Sequence, residues 1–382
     1  MKLKPIILIT TLFISTDCFS QEMPASPFKA DMNVKDIKAI LKSVVDWQIN
    51  TPLTHGLADW TNGALYAGMV EWAGIAGDSR YYDWLKDIAV KNKWSYNVRT
   101  NPLGRYHADD YCVGQTYVEL YRKYHDKNMI KPMSDYFDRI LKDPAKGDLK
   151  FVNTKDYWST QRWSWCDALF MGPTVWAKMA NVTGKKSYLD FMYQEYKAST
   201  DYLYDKDEDL YFRDSSYFTK KENNGKKVFW GRGNGWVFAG LPIIIRELPK
   251  KYAQKPYFVN IYKKMAAKLL SLQDVNGYWH ASLLDPASYP NPEMSATAFF
   301  VFGFAWGINN GYLDKETYLP AVIKGWKAMV NAVWPDGKVG FIQPVGADPK
   351  AVTNEMTEVY GVGGFLFAGT EITRLIEKGT IK

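Results

Sequence analysis

Six stretches of the chain are apolar on nearly every side, and a polar or aromatic segment precedes each of them. A helix that is apolar all round belongs in a protein interior. The pattern therefore predicts six buried helices, each entered from a polar mouth. They cover residues 64–73, 111–121, 168–179, 237–245, 296–306 and 361–372.

The stretches between these six carry an apolar stripe on one side only, at helical spacing. The clearest stripes lie at 37–44, 258–269 and 318–330, whereas 81–90 and 188–202 fit the spacing less well. Buried and one-sided helices that alternate in this way predict an all-α protein, an (α/α)6 barrel of six helical hairpins. The polar mouths of its inner helices would then converge at one end of the ring.

Alternating strand patterns are scarce. The short candidates are 228–230 and 338–343, because only these combine strand-forming residues with flanking turn signals. We therefore expect little sheet.

The N-terminus has the layout of an export signal. A basic start precedes an apolar run over 6–14, and small or polar residues follow as far as Ser20. This order is typical of a cleavable signal peptide, and the run is too short to span a membrane. We expect residues 1–20 to be a signal peptide and 21–382 to form one (α/α)6-barrel domain. The mature protein would then lie in the periplasm, with secretion as the alternative and no membrane insertion.

Composition adds two hints about the ligand. The chain has 15 Trp, 26 Tyr and 19 Phe, an aromatic content of 16% that fits a sugar-binding cleft or a core between helices. Its net charge of +7 is spread over scattered basic residues, which suits an acidic ligand better than nucleic acid. Beyond the signal only Cys112 and Cys166 remain, and the sequence leaves open whether they are bonded.

Several kinds of chemistry lack their usual motifs here. The four histidines form no His-x-x-x-His pair, and no Cys-x-x-Cys occurs, so we expect no metal site built on such spacings. The glycines at 233 and 235 lack the basic residue of a phosphate loop, and no Gly-x-Ser-x-Gly elbow is present. Carboxylate chemistry is what remains.

Two aspartates precede or open predicted inner helices beside aromatic residues. Asp167 follows Trp165, and Asp110 follows His107 closely. If the mouths converge, the two carboxylates share a cleft with Arg232, and each can raise the proton affinity of the other. The alternative is that each aspartate caps its helix. The glutamates that open the last two inner helices, Glu293 and Glu355, are interpreted first as caps.

The motifs resemble those of the unsaturated glycuronyl hydrolases, in particular the unsaturated rhamnogalacturonyl hydrolase family, glycoside hydrolase family 105. The resemblance covers nearly all of the mature chain, and the fold it implies is again the (α/α)6 barrel. It rests on residues 107–115, 165–171, 230–236, 283–286, 293–297 and 305–311.

The resemblance implies roles for individual residues. Asp167 would protonate C4 of a uronate with a C4=C5 double bond and then activate the water that adds at C5. Asp110 would be the second acidic residue, with Asp109 as the alternative. Arg232 and Trp236 match residues that hold the uronate carboxylate and stack on its ring. The other expected cleft walls are Trp60, His107, Trp163 and Trp165.

One position departs from the family pattern. Several members carry a His before the Arg-Gly-Asn-Gly-Trp motif, where this chain has Arg213. An added guanidinium is compatible with a sulfated leaving sugar, such as the 3-sulfated rhamnose of ulvan. The leaving sugar is therefore expected to be of the ulvan or the rhamnogalacturonan type.

The sequence as a whole predicts an exo-acting hydrolase that removes the unsaturated uronate from the products of a polysaccharide lyase. Protonation and hydration need only carboxylates and water, so no cofactor is expected. Two alternatives stay open. One is an ordinary inverting glycosidase that acts on saturated oligosaccharides, and the other is a catalytically inactive carbohydrate-binding protein.

Overall fold

The computed structural model of the protein describes residues 25–98, 106–153 and 156–381. The predicted signal peptide, residues 1–20, lies outside the described residues, so its cleavage stays a prediction. No helix within the three described ranges is long and apolar enough to cross a membrane.

Helices account for most of the described chain. In chain order they are α1 (Val34–Asn50), α2 (Trp60–Ala76), α3 (Arg80–Lys91), α4 (Gly114–Tyr124), α5 (Lys131–Lys142), α6 (Ala168–Met171), α7 (Pro173–Thr183), α8 (Lys186–Leu203), α9 (Gly231–Glu247), α10 (Lys255–Ser271), α11 (Met294–Asn309), α12 (Lys315–Asn331) and α13 (Val359–Glu377).

The inner helices form a closed ring. In order around it, α2 contacts α4, α4 contacts α7, α7 contacts α9, α9 contacts α11, α11 contacts α13, and α13 contacts α2 again. These are the helices predicted to be apolar all round, and nearly every residue of α11 is buried. The one-sided helices alternate with them along the chain. The predicted (α/α)6 barrel is confirmed, with α6 and α7 sharing one inner position.

Sheet structure is confined to one short hairpin in the described residues, β1 (Tyr204–Asp205) paired antiparallel with β2 (Leu210–Tyr211). The sequence did not predict it. The two predicted strands form only isolated bridges, Trp230 with Ser282 and Val333 with Val339.

The two glutamates expected to cap inner helices behave differently. The carboxylate of Glu293 accepts hydrogen bonds from the backbone N–H groups of Ser295 and Ala296, which confirms it as the cap of α11. Glu355 is exposed and lies before α13, whose cap position is held by Glu358. The prediction for Glu355 is therefore wrong. The chain runs on as a turn before the helix begins.

The ring closes where α2 meets α13, and the two backbones approach closely there. A Cβ atom on Gly68 would lie 2.2 Å from the carbonyl oxygen of Gly363, and one on Gly363 would lie 2.4 Å from that of Ala64. Real Cβ atoms do not approach a backbone oxygen so closely. Glycine at both positions is therefore a packing requirement of this contact.

Gly68→Ala is expected to lower the free energy of unfolding by about 1–3 kcal/mol, the usual range for overpacking, because backbone on both helices must move. Gly74→Ala is the matched control on the same helix. Its Cβ would meet only the Tyr82 hydroxyl at 3.6 Å, and we expect it to be neutral or stabilising by about 0.5–1 kcal/mol. Denaturant unfolding of both variants checks the pair. Equal effects would contradict the packing argument.

The end of the ring opposite the inner-helix N-termini holds a group of charged side chains, here called the basal ion cluster. Both carboxylate oxygens of Glu247 accept hydrogen bonds from Arg122, and Lys178, 2% exposed, donates to Glu119. Arg246 and Arg374 each pair with Glu71. Four cations face four carboxylates, and the cluster is balanced in charge. Its members are Glu71, Glu119, Arg122, Lys178, Arg246, Glu247, Glu371 and Arg374.

Candidate active site

A cavity of about 370 Å³ opens at the end of the ring where the inner helices begin. Its volume lies in the range of small-ligand sites. Trp60 is the first residue of α2, Asp167 precedes α6, and Trp230 precedes α9, so the polar mouths do converge as predicted. The lining residues are Trp60, Asp109, Trp165, Asp167, Met171, Arg213, Trp230, Val345, Gly346 and Ala347.

Asp167 lines the cavity and is not used as a helix cap. It occupies the cap position of α6, yet its side chain makes no capping hydrogen bond. Its Oδ2 atom lies 3.5 Å from the Cys166 sulfur, which donates to it, and 3.8 Å from Nε of Arg213. Burial raises the pKa of Asp167, although the charges of Arg213 and Arg232 oppose the rise. A carboxyl that holds its proton inside a cavity can act as a general acid.

Arg213 places a guanidinium beside that carboxyl. Its backbone carbonyl accepts a hydrogen bond from the N–H of Cys166 at 2.8 Å, which joins the chain segments that carry Asp167 and Arg213. Nη1 donates to Asp214 at 2.6 Å, and the guanidinium lies over the Phe151 ring at 4.6 Å. Nε is buried and has no hydrogen-bond partner among the described residues. Arg213 therefore adds a positive charge to the cavity beside the carboxyl of Asp167.

The second carboxylate in the cavity belongs to Asp109. Asp110, which the sequence put forward first, is 1% exposed, and its Oδ1 accepts from Asn97 Nδ2 at 3.5 Å. Both lie in a short 3₁₀ turn, Ala108–Tyr111, where successive residues point in different directions. His107 accepts a hydrogen bond from the Asp109 N–H, and its ring lies 4.9 Å from that of Trp165. His107 thus supports two lining residues.

Four tryptophans were expected as cleft walls or stacking partners, and the structure divides them. Trp60 and Trp165 line the cavity. Trp163 is 2% exposed, and its Nε1 donates to the Tyr111 hydroxyl. Trp236 is fully buried and packs edge-on against Trp60. Neither Trp163 nor Trp236 lines the cavity in this structure, because both rings are enclosed by protein. Their contact with a sugar stays a prediction.

Arg232 is also enclosed. It is 1% exposed, and its guanidinium carbon lies 4.4 Å from the centroid of Trp230 and 4.9 Å from that of Tyr360. Nη1 donates to the carbonyl oxygen of Gln343, and Nη2 donates to that of Pro344 at 2.9 Å. Arg232 is not among the residues that line the cavity, and each of its terminal nitrogens holds a backbone carbonyl, so its role as a clamp on the substrate carboxylate stays a prediction. Arg213 is the guanidinium that reaches the cavity.

Sequence reasoning missed part of the lining. Met171 and Trp230 lie inside motifs that it singled out, but neither was named as a site residue. No hydrophobic pattern in the sequence indicates residues 345–347. Their only signal is a Pro and Gly pair shortly before the last inner helix. Cys112 and Cys166 are both buried and unbonded. The described residues contain no group of three or more His, Cys, Asp or Glu arranged to hold a metal ion.

Comparisons with known proteins identify the family of the chain. Residues 34–376 match the family model described as Glycosyl Hydrolase Family 88. A protein from Alteromonas sp. (strain LOR), named unsaturated 3S-rhamnoglycuronyl hydrolase, is 37% identical over 377 residues, which cover 92% of this chain and 90% of the relative. A protein of the same name from Formosa agariphila is 36% identical over 361 residues, covering 91% and 93%.

A solved structure described as a polysaccharide lyase matches with a TM-score of 0.81 at 32% identity, and covers 90% of this chain and 98% of its own. The family match spans nearly the whole described chain, and both relatives exceed 30% identity over nine-tenths of it. This confirms the resemblance to unsaturated glycuronyl hydrolases drawn from the motifs. The chain therefore belongs to Glycosyl Hydrolase Family 88 and is a glycoside hydrolase.

Proposed function

We propose that this glycoside hydrolase removes a 4,5-unsaturated uronate from the non-reducing end of oligosaccharides made by a polysaccharide lyase. The observation that carries the proposal is Asp167, a cavity carboxyl with no capping role and with a pKa raised by burial. Such a group can donate a proton to carbon as a general acid. The names of the two relatives, unsaturated 3S-rhamnoglycuronyl hydrolase, support the same reaction.

The chemistry is hydration of a vinyl ether. Asp167 gives its proton to C4, and the positive charge that forms is shared between C5 and the ring oxygen. The carboxylate left behind is stabilised by Arg213, whose Nε lies 3.8 Å away, and it takes a proton from the water that adds at C5. The resulting hemiketal opens, and the neighbouring sugar departs. Because no bond at C1 is attacked directly, the usual carboxylate-separation rule for glycosidases does not apply.

The leaving sugar we propose is a rhamnose sulfated at O3, as in ulvan, with the rhamnogalacturonan type as the alternative. The name of the two relatives specifies a 3S-rhamno unit, and Arg213 lines the cavity with its guanidinium. A sulfate on the leaving sugar would bind this guanidinium through charge-assisted hydrogen bonds.

Arg213→Ala is expected to weaken the transition-state binding of a sulfated disaccharide by about 1.5–3 kcal/mol more than that of its unsulfated counterpart. The ratio of kcat/KM on the two substrates measures this difference. Arg139→Ala, which removes an exposed guanidinium from α5, should leave the ratio unchanged. An equal loss on both substrates would refute the role in sulfate recognition.

Arg213→Ala should also change the pH dependence of kcat/KM. A general acid loses activity as the pH rises through its pKa, and Arg213 opposes the upward shift of the pKa of Asp167. Removal of Arg213 should therefore move the alkaline limb of the kcat/KM profile to higher pH. A limb that stays in place would separate Arg213 from Asp167.

The experiment that tests the function follows the ultraviolet absorbance of the conjugated double bond. Lyase products of ulvan, rhamnogalacturonan and glycosaminoglycans are incubated side by side with the enzyme, and we expect loss of absorbance on the ulvan set. Release of saturated sugars without such a loss would favour the ordinary inverting glycosidase. Binding without turnover would favour the inactive sugar-binding protein. A rise in absorbance on intact polysaccharide would indicate a lyase, the activity named for one similar structure.

The location we propose for the mature enzyme is the periplasm, and the N-terminal 20 residues support it by their signal-peptide layout. Uptake of lyase products there would place the enzyme directly after the lyase in the reaction sequence. Fractionation of cells that express the full chain, with mass measurement of the mature N-terminus, tests both the location and cleavage after Ser20.

A further inference from the structure

The cavity has a closed floor and an open rim. Met171 and Trp230 are 1% and 2% exposed and Asp167 is 9% exposed, whereas Val345 is 52% exposed. An enzyme that removes a terminal sugar places that sugar at the floor, next to Asp167. The sugar that leaves then lies at the rim, where Val345, Gly346 and Ala347 form one side of the cavity.

We propose that residues 344–347, here called the rim segment, select the leaving sugar, and that Val345 contacts the methyl group of a 6-deoxyhexose. The inference rests on the proposed function and adds to it the residues that distinguish one leaving sugar from another. Its support is the way the rim segment is held and the chemistry of its side chains.

Gln343 fixes the rim segment at both ends. It is 1% exposed, and each of its polar groups has a partner. Its side-chain amide donates to the carbonyl oxygen of Asp348 at 2.9 Å, which closes the loop over residues 344–347. Its side-chain oxygen accepts from Nε1 of the lining residue Trp230 at 3.1 Å. A fully bonded buried amide of this kind gives a loop one defined position.

The backbone of Gln343 is tied to three inner helices. Its N–H donates to the carboxylate of Glu293, the cap of α11, at 3.1 Å. Its carbonyl oxygen accepts from Arg232 of α9 and from the Tyr360 hydroxyl of α13. Arg232 also binds the Pro344 carbonyl. The rim segment is thus positioned before any ligand arrives, and such preorganisation lowers the cost of binding.

The side chains of the rim segment are all apolar. Its side chains are those of Pro344, Val345 and Ala347, and none of them carries a hydrogen-bonding group. Charged groups line other parts of the cavity, at Asp109, Asp167 and Arg213. A sugar at the rim would turn its polar groups toward the charges and its least polar edge toward Val345. A 6-deoxyhexose has such an edge, because a methyl group replaces the hydroxymethyl group of an ordinary hexose.

The test compares two unsaturated disaccharides with the same linkage, one with a 6-deoxyhexose as the leaving sugar and one with a hexose. Val345→Thr keeps the shape of the side chain and replaces one methyl by a hydroxyl. We expect it to reduce the preference for the 6-deoxyhexose, measured as the ratio of kcat/KM values, by about threefold to fivefold, the worth of one methyl-sized contact. Val90→Thr, at a valine 54% exposed on α3, should leave the ratio unchanged.

Gln343→Ala tests the positioning role separately. Release of the rim segment should reduce the same preference and raise KM for the 6-deoxyhexose substrate more than it changes kcat. A residue that only stabilises the fold would lower the melting temperature and leave the ratio alone. If Gln343→Ala fails to fold, Val345→Thr decides the question by itself.

Each outcome bears on the proposal. A reduced preference in Val345→Thr supports it. An unchanged ratio, with both disaccharides turned over, overturns the rim-segment inference and leaves the proposed function intact. If hexose turnover is below detection, a loss on the 6-deoxyhexose substrate relative to Val90→Thr supports the inference, and no loss overturns it. Absence of double-bond loss on every substrate overturns the proposed function and this inference together.

Discussion

Asp167→Asn is expected to lower kcat by about 10²–10⁴-fold, the usual contribution of a general acid, while the protein stays folded. Asparagine has nearly the same shape and lacks the proton that C4 must receive. The side chain makes no helix cap whose loss would unfold α6. Its polar neighbours, the Cys166 sulfur and the Arg213 guanidinium, lie at 3.5 Å and 3.8 Å. Loss of ultraviolet absorbance gives kcat, and thermal unfolding gives stability.

Asp59→Asn is the matched control. Asp59 also directly precedes an inner helix, but its carboxylate caps α2 through the N–H of Thr61. Asparagine caps a helix about as well as aspartate, so this variant should change neither kcat nor stability appreciably. If Asp167→Asn retained most of the activity of the unmodified enzyme, the proton would have to come from another group, and Asp109 would be the next candidate in the cavity.

The second large effect is expected in the basal ion cluster, on stability. Lys178→Met should lower the free energy of unfolding by about 3–5 kcal/mol, because it removes one of the four cations and leaves the largely buried cluster with an uncompensated negative charge. Lys178 is 2% exposed, donates to Glu119 and lies 3.8 Å from Glu247. Lys131→Met is the control, since its pair with Asp135 on α5 is exposed and worth about 0–1 kcal/mol. Similar losses in the two variants would contradict the argument.

The basal ion cluster should also make the stability of the protein depend on pH in the acid range. Burial favours the neutral form of Glu119, but Lys178, Arg246 and Arg122 outweigh it and lower the pKa of Glu119 from 4.5 to about 2. A carboxylate with a lowered pKa stabilises the fold above its unfolded pKa, and this stabilisation is lost as the pH falls toward the folded value. Stability should therefore decline between about pH 4.5 and 2. In Lys178→Met this decline should be shallower, because the strongest of the opposing charges is gone.

The ring itself was predictable because the burial of a helix determines which of its positions are apolar, and this pattern is visible in the sequence. Helices such as α11, enclosed on all sides, need apolar or small residues at nearly every position, and outer helices need them on one side only. The cap at Glu293 was predictable for a similar reason, since capping depends on local geometry. The hairpin of β1 and β2 has two residues in each strand, which is too short for an alternating pattern.

The site was only partly predictable, because a motif indicates which end of the ring a residue occupies and not which way its side chain points. Trp165 and Asp167 face the cavity, while Trp163, two positions earlier, is enclosed beside Gly172. Asp109 and Asp110 are adjacent, and only one of them lines the cavity. The direction depends on φ and ψ in irregular turns such as Ala108–Tyr111. The hydrophobic pattern of the sequence does not predict those angles.

The rim segment was missed for another reason. A loop carries no hydrophobic period, and its position here depends on groups more than 100 residues away in the chain, since Trp230 Nε1 and Gln343 are 113 residues apart. The sequence indicates Arg232 as a charged residue at the start of an inner helix. Its bonds to two backbone carbonyls could not be predicted, because they depend on the tertiary contact between α9 and the loop before α13.

Closure of the ring between α2 and α13 also constrains how the chain reaches its native state. The contact between Glu71 and Arg374 joins residues 303 positions apart, and the glycine contact of the same two helices is equally non-local. Until the last hairpin is synthesised, α2 and α11 each lack a neighbour, and their apolar sides stay accessible to other chains. Because such distant contacts form slowly, the newly made protein should depend on protection from aggregation until its C-terminal helix has docked.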